Sequence, residues 1–289
     1  MNNQSLCWIN GKITAPAEAR ISVFDHGLLY GDGIFEGLRF YNKSIFRRTL
    51  HLQRLQDSAS TLRLNIPLEI PALEKTIDEL LTASPLDHGY LRIIVTRGVG
   101  TLGIDPTHCP QPGLILIADE LQMVDEEQRS RGIRTIIAAT RRPAPDQLDP
   151  RIKSLNYLNA IMARMEAHHA GVEEAILLNQ QGHVAEGTVD NLFIVRRGEL
   201  LTPATTEGAL AGITRMTILE LAKAADIPAK ETVLTPYDLY TADECFLTGT
   251  GARLIPVREI DGREISECPG RIYNQLATAY SKQVAQETD

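Results

Sequence analysis

Apolar and polar positions alternate in short stretches through the first third of the chain. Residues 8–13 (WINGKI) read as two strand ends around Asn10-Gly11, because both residues tolerate the positive φ of a two-residue type I′ hairpin. A second hairpin is predicted with strands over 33–41 and 44–47, joined near Asn42-Lys43. Residues 50–64 read as a helix, and 69–83 repeat apolar side chains at helical spacing. Short apolar runs at 90–96 and 113–118 suit strands, so the first part is α+β. A charged stretch, 119–132, precedes a new strand at 133–138, which puts a lobe boundary near residue 125 and predicts domains over 1–125 and 126–289. Beyond it lies a loop at 141–151 rich in Pro, Asp and Arg, then a helix whose Leu155, Leu158, Met162 and Met165 share one face. Strands follow at 175–179 and 191–196, and a helix at 213–224 is entered through Gly212. Thr235-Pro236 is an N-cap followed by proline at the first helical position, predicting a short helix at 236–240.

Composition narrows the class. A chain of 289 residues, 43% hydrophobic, holds a substantial core and stands near the upper size of one domain, so two lobes are expected. With 29 basic against 37 acidic residues the net charge is -8, and no basic cluster forms a phosphate-backbone footprint, so nucleic acid is not an expected partner. No apolar run approaches the roughly 20 residues of a membrane helix, and residues 1–11 lack the basic start and apolar run of a signal peptide. A cytoplasmic location is expected. Cys7, Cys109, Cys245 and Cys268 lie far apart without a CxxC pair, so reduced thiols are expected and neither a metal site nor a disulfide framework is.

Lys153, in a loop just before an apolar helix, would by itself read as a surface charge. Its context is VAEGT at 184–188, GITR at 212–215 and LTGTG at 247–251. Three further runs are more specific: HGLLYGDGIFEGLR at 26–39; TRGVG at 96–100 with LGIDP at 102–106; and IKSLNYLN at 152–159. Together, over almost the whole chain, they resemble the class IV (fold-type IV) aminotransferases, and the specific stretches resemble the branched-chain amino acid aminotransferases of shorter archaeal and bacterial type.

That resemblance implies pyridoxal 5′-phosphate as cofactor, with Lys153 as the Schiff-base lysine that also moves the substrate's α-proton, for which the amine must be neutral and its pKa depressed. It makes Glu186 the acidic partner of the pyridine nitrogen and Ile213 and Thr214, at a helix start, the phosphate-binding pair. Arg54 would pair with the phosphate and Thr250 would add a hydroxyl. Leu210 would pack on one face of the ring, and Tyr157 would hydrogen-bond its hydroxyl oxygen. Read without the resemblance, Glu186 is an exposed strand end, Arg54 a helix-surface charge, and Leu210 and Tyr157 core residues. Val189 departs from the small or polar residue that relatives often carry there.

For substrate, Phe35 and Gly37 alternate with Ile34 and Glu36, so one pair faces a pocket, and Phe35 and Gly37 are taken as that pair. By resemblance Tyr30, Phe35 and Tyr157 wall an apolar side-chain pocket in which Gly37 leaves space for Leu, Ile or Val. Tyr90 and the amides of Thr250 and Gly251 take the carboxylate. Arg92, assisted by Arg39, receives the distal carboxylate of glutamate or 2-oxoglutarate, for which a planar guanidinium fork is suited.

The D-amino acid aminotransferases share the fold, and Arg97 matches an arginine that binds carboxylate in them; Gly37 and LGIDP argue against that assignment. Aminodeoxychorismate lyase and R-selective amine transaminase are further cousins, and a pyridoxal-phosphate-binding pseudoenzyme is the alternative outside catalysis, though Lys153 and Glu186 are both retained. The resemblance implies an α/β, fold-type IV protein with a smaller amino-terminal α+β lobe and a larger carboxy-terminal lobe clasping the cofactor. It also implies a homodimer at least, leaving open whether dimers assemble into a hexamer, and a loop at 99–110 laid over the partner's site.

Overall fold

The computed structural model describes residues 4–121 and 126–288, so the expected boundary at 125/126 lies outside the described residues. Two compact units are present. One runs to Leu121 and includes Ile152–Asn156 and the end of the chain from Ala285; the other takes the residues up to Arg151 and Tyr157–Val284.

The first unit is built from β1 (Leu6–Ile9), β2 (Lys12–Thr14), α1 (His26–Tyr30), β3 (Gly33–Tyr41), β4 (Ser44–Ile45), α2 (Arg48–Thr61), α3 (Ile70–Ala83), β5 (Gly89–Thr96) and β6 (Gly113–Asp119). Both expected hairpins form. Asn10 and Gly11 have φ of 44° and 103°, and Asn42 and Lys43 have φ of 48° and 64°, the doubly positive pattern that matches strand twist. The strands make an antiparallel sheet in the order β2-β1-β6-β5-β3-β4. One face carries Ile34, Leu38, Leu91, Ile93 and Leu116, buried in one cluster with Leu52 and Leu55 of α2 and Ile77 and Leu80 of α3. Each such side chain contributes about 1.5–3 kcal/mol of burial. The other face is left for Phe35, Gly37 and Arg39, because successive side chains on a strand point to opposite sides.

Ile152–Asn156 joins this sheet. Ile34 bridges antiparallel to Ser154, Phe35 N donates to Lys153 O at 2.9 Å, and Leu155 N donates to Gly33 O at 2.9 Å. The sequence reading put Lys153 in the carboxy-terminal domain, but backbone hydrogen bonds to the edge of β3 attach it to the amino-terminal unit.

The second unit holds α4 (Glu126–Arg131), β7 (Ile133–Arg141), α5 (Pro145–Leu148), α6 (Leu158–His169), β8 (Glu174–Leu178), β9 (Val184–Gly187), β10 (Asn191–Arg196), β11 (Glu199–Pro203), α7 (Ile213–Ala224), β12 (Ala229–Thr232), α8 (Pro236–Tyr240), β13 (Glu244–Gly249), β14 (Arg253–Ile260) and β15 (Arg263–Glu264), and most of α9 (Arg271–Thr288). Its sheet runs β12-β11-β10-β13-β14-β7-β8-β9, with β15 paired to β14.

The predicted apolar face of the helix after Lys153 is corrected. Leu155 precedes α6, and Leu158, Met162 and Met165 are exposed, as is Ile161. The helix buries Ala160, Ala163 and Ala167 instead, packing on β7 and β8 beside Ala138, Ala175 and Leu177. Small side chains let helix and sheet approach closely, so the larger ones are left outside. β13 and β14 were absent from the sequence reading because both are largely buried and show no period-2 contrast.

Candidate active site

In the first unit the register of β3 against β5 sets Gly37 opposite Arg92 and Arg39 opposite Tyr90. Partners in register project to the same side, so Phe35, Gly37, Arg39, Tyr90 and Arg92 share the face away from α2 and α3. Continuing the Ile34–Ser154 bridge by one residue sets Lys153 beside Phe35, and Lys153 Nζ lies 4.6 Å from the centroid of the Phe35 ring. The Arg92 guanidinium lies 4.6 Å from the same ring and 5.7 Å from that of Tyr90, with its Nη2 at 3.5 Å from the Tyr90 hydroxyl. An amine and a guanidinium thus converge on one aromatic ring, which cation–π attraction favours, and the Tyr90 phenol lies beside the guanidinium. Arg39 packs over the Tyr41 ring at 5.9 Å.

Gly37 has a different task from the one expected. A Cβ built there would stand 1.7 Å from the Tyr90 hydroxyl oxygen and 2.6 Å from Cζ, so the space beside Gly37 holds the Tyr90 phenol. The glycine therefore acts on the pocket by letting Tyr90 lie flat across β3.

Beneath that face Glu36, 0% exposed, is the charged residue on the core side of β3. Its Oε1 accepts from Arg54 Nε at 2.7 Å, and its Oε2 accepts from Arg54 Nη2 at 2.9 Å and His51 Nδ1 at 2.8 Å. Burial by itself would raise the Glu36 pKa, but the Arg54 charge and the bonds from His51 and Arg54 outweigh it and hold the carboxyl well below the usual range. Burial, with the positive charges of Arg54 and Lys153, depresses His51 below the ordinary histidine value despite the bond to Glu36. Sequence reasoning passed over Glu36 and His51. The signal was present: an acid in phase with Ile34, Leu38 and Phe40 must be buried, and a buried acid needs partners.

Tyr30, expected to wall the pocket, ends α1 with its hydroxyl accepting from Gly103 N at 2.8 Å, so it tethers the 99–110 loop. Arg97 is fully engaged elsewhere: Nε and Nη2 grip Asp32 at 2.8 and 3.0 Å, and Nη1 and Nη2 donate to Arg63 O and Leu62 O, both at 2.9 Å.

In the second unit Glu186, buried on β9, accepts from Asn191 Nδ2 at 3.0 Å and Leu210 N at 2.9 Å, and is in contact with Arg142 Nη2. Asn191 also donates to Leu210 O at 2.9 Å. Asn191 therefore joins Glu186 to the segment leading into α7. A Cβ on Gly212 would lie 1.9 Å from Asn191 Oδ1, so a larger residue at this N-cap would have to displace the Asn191 amide. No side chain caps α7, and Ile213 and Thr214, both buried, occupy its first turn, where amides point outward without helical partners. Thr250 and Gly251 form the turn from β13 to β14. Just before it Thr248 Oγ1 is buried without a hydrogen-bond partner among the described residues, and a Cβ on Gly249 would lie 2.4 Å from Asp190 Oδ1. Tyr157 is N-cap of α6 and, with Ile161, Thr188, Val189 and Asp190, lines a cavity of about 380 Å³. Arg142 and Asn191 were missed as site residues. Nothing in the 141–151 loop marks one arginine over another, while Asn191 stood only as the first residue of an expected strand.

These residues fit pyridoxal phosphate on chemical grounds. The ligand needs an amine for its aldehyde, an acidic partner for its ring nitrogen and a cradle of donors for its phosphate. Each unit offers groups of that kind: the first has the Lys153 amine, and the second has the Glu186 carboxylate and the uncapped first turn of α7 behind Gly212.

A family model, amino-transferase class IV, matches residues 33–260, and the chain belongs to that family. It is 48% identical over 259 residues, 90% of this chain and 89% of the other, to a Methanocaldococcus jannaschii protein provisionally assigned as a branched-chain-amino-acid aminotransferase. The crystal structure of the Escherichia coli branched-chain amino acid aminotransferase matches with a TM-score of 0.94 at 33% identity, over 98% of this chain and 96% of that one. The Thermoproteus uzoniensis branched-chain aminotransferase, crystallised with norvaline, matches with a TM-score of 0.92 at 33% identity, over 98% and 96%. A further branched-chain amino acid aminotransferase, complexed with N-(5′-phosphopyridoxyl)-L-glutamate, matches with a TM-score of 0.91 at 34% identity, over 98% and 94%.

Proposed function

We propose that this protein is a pyridoxal-phosphate-dependent aminotransferase that moves the amino group between branched-chain L-amino acids and 2-oxoglutarate. The observation that carries the reading is the Lys153 amine over Phe35, on the sheet face shared with Tyr90 and Arg92. We assign Lys153, Arg54, Tyr157, Glu186, Leu210, Ile213, Thr214 and Thr250 to the cofactor, and Tyr30, Phe35, Gly37, Arg39, Tyr90, Arg92, Thr250 and Gly251 to the substrate. Bound pyridoxal phosphate supplies an electron sink that makes the substrate's Cα–H acidic. Lys153 would hold the cofactor, and its neutral amine would take the proton from Cα. Phe35 offers an apolar wall to an aliphatic side chain. Arg92 takes the distal carboxylate of the acidic substrate, which lets one pocket serve both partners.

The engagement of Arg97 with Asp32 and two carbonyls favours this reading over a D-amino acid aminotransferase, in which that guanidinium would bind carboxylate. We infer a homodimer, able to build a hexamer, in the cytoplasm. Support comes from the exposed Leu158, Ile161, Met162 and Met165 on α6, and from Leu102 and Ile104 in the loop that Tyr30 tethers. Among the described residues no helix is long and apolar enough to cross a membrane.

The test is to add L-leucine, D-alanine or R-1-phenylethylamine separately to the protein loaded with pyridoxal phosphate and follow its visible absorbance. Bleaching by L-leucine alone is expected. Bleaching chiefly by D-alanine or the amine would move the chain to a cousin activity, and no visible band would overturn the cofactor assignment.

A further inference from the structure

We propose that Glu36, assisted by His51, is the positioning residue that sets affinity for the cofactor's phosphate by gripping Arg54. The proposal rests on the reading that this chain binds pyridoxal phosphate with Arg54 at the phosphate, and it gives Glu36 and His51 a role in that binding.

The grip is side-on. Arg54 presents Nε and Nη2 to the two oxygens of one carboxylate at 2.7 and 2.9 Å, which fixes the plane of the guanidinium and directs its Nη1 end away from Glu36. A buried ion pair is weak evidence for stability, because desolvation offsets the attraction, so fixing a direction explains this one better than strengthening the fold. Glu36 also neutralises much of the charge Arg54 could offer a phosphate, and its benefit is therefore geometric. His51 donates to Glu36 Oε2 at 2.8 Å. Held neutral by its burial, it supplies a donor without adding a second positive charge.

The same two elements set Lys153. On β3, Glu36 follows Phe35, whose amide is bonded to Lys153 O. On α2, His51, Arg54 and Ser58 fall three and four residues apart along one face, and Ser58 Oγ accepts from Lys153 N at 3.2 Å. The aldehyde and the phosphate of one ligand are a fixed distance apart. Lys153 and Arg54 must therefore keep a fixed relation, and Glu36 is the contact that ties α2 to β3 where they do.

The experiment measures dissociation constants for pyridoxal phosphate and for pyridoxal, which lacks the phosphate, by titrating the visible band of the Lys153-linked ligand. It is done in the full-length protein, E36Q, R54K and the double variant, with circular dichroism of each to report folding. E36Q is expected to lower the preference for pyridoxal phosphate over pyridoxal about tenfold or more, the loss of a charge-assisted contact, and to lower it no further when R54K is already present. An equal loss for both ligands, or additive losses in the double variant, overturns the positioning role. If E36Q fails to fold, H51Q, which keeps both charges, decides: a fall of about threefold in the preference supports the grip, and an unchanged preference overturns it. If the unsubstituted protein itself shows no preference for the phosphorylated ligand, the Arg54 assignment falls and this proposal with it, while a visible band leaves the Lys153 assignment standing.

Discussion

Replacing Gly37 with alanine tests the substrate face most directly. The added Cβ would begin 1.7 Å from the Tyr90 hydroxyl oxygen, 2.6 Å from Cζ and 3.2 Å from Cε2. To reach even a close contact of about 3.5 Å the phenol must withdraw by roughly 1.8 Å. The obstructing atoms are the free end of a side chain on a half-exposed face, so the movement itself costs little. Overpacking penalises the variant by about 1–3 kcal/mol, and exchanging glycine for alanine inside a strand returns about 0.5–1 kcal/mol. Stability is thus expected to fall by no more than about 2.5 kcal/mol, several degrees in Tm.

Function should respond more sharply. A hydroxyl displaced by that distance could not keep the hydrogen bond to a substrate carboxylate proposed for it, and it disturbs Arg92, whose Nη2 lies 3.5 Å from it. A lost bond to a charged group is worth about 1.5–3 kcal/mol, which is about 10–100-fold in kcat/KM. Steady-state kinetics with L-leucine and 2-oxoglutarate, beside a melting curve, separate the two effects. The fall should be seen for both substrates, and Tyr90→Phe/Gly37→Ala should be little worse than Tyr90→Phe. If Gly37→Ala keeps its kcat/KM while Tyr90→Phe loses it, the steric argument is wrong.

Other substitutions probe the remaining groups. Lys153→Ala should reduce transamination by at least about 10⁴-fold and let gel filtration strip the cofactor, because holding and proton transfer are both lost; retention of a visible band would refute the assignment. Gly212→Ala drives a Cβ to within 1.9 Å of Asn191 Oδ1, so pyridoxal phosphate should bind about tenfold more weakly with Glu186, the ring partner proposed above, disturbed as well, read by dialysis. Arg97→Ala leaves Asp32 without its cation and should cost on the order of 3 kcal/mol in denaturant unfolding, with the preference for L- over D-amino acids unchanged. His51, whose pKa is depressed in the folded state, contributes stability that is complete above the unfolded value of about 6.5 and is lost as pH falls below it, because the unfolded chain then binds the proton more readily. Tm should therefore decline from pH 7 to pH 5, and His51→Gln should flatten that slope; a parallel slope would refute the argument.

What was legible in the sequence was whatever depends on neighbours along the chain. The Asn10-Gly11 turn, the span of β3 and the start of α7 at Gly212 each follow from a local rule of φ, alternation or capping. Alternation on β3 also divided Phe35 and Gly37 from Ile34 and Glu36. The α6 face failed because apolar spacing cannot distinguish side chains that pack on a sheet from side chains that await another surface. Ala160, Ala163 and Ala167 keep the same helical period as the larger residues, and the tight approach to β7 and β8 selects the smaller set.

The groups that escaped the sequence share one property: each acts through a partner brought near by tertiary structure. Arg142 reaches Glu186 across 44 residues, and His51 reaches Glu36 across 15. Their partners are acids with little access to solvent, and this gives a rule that works before any coordinates exist. An acid placed by strand period among core residues carries a desolvation cost too large to stand alone, so the chain must supply a cation or several donors for it. Applied to Glu36, the rule demands a basic residue on the helix that covers β3, where His51 and Arg54 occupy adjacent turns of α2. It would have marked the supports of the site, though not its reacting groups, for Lys153 lies on the half-exposed face, where no such cost identifies it.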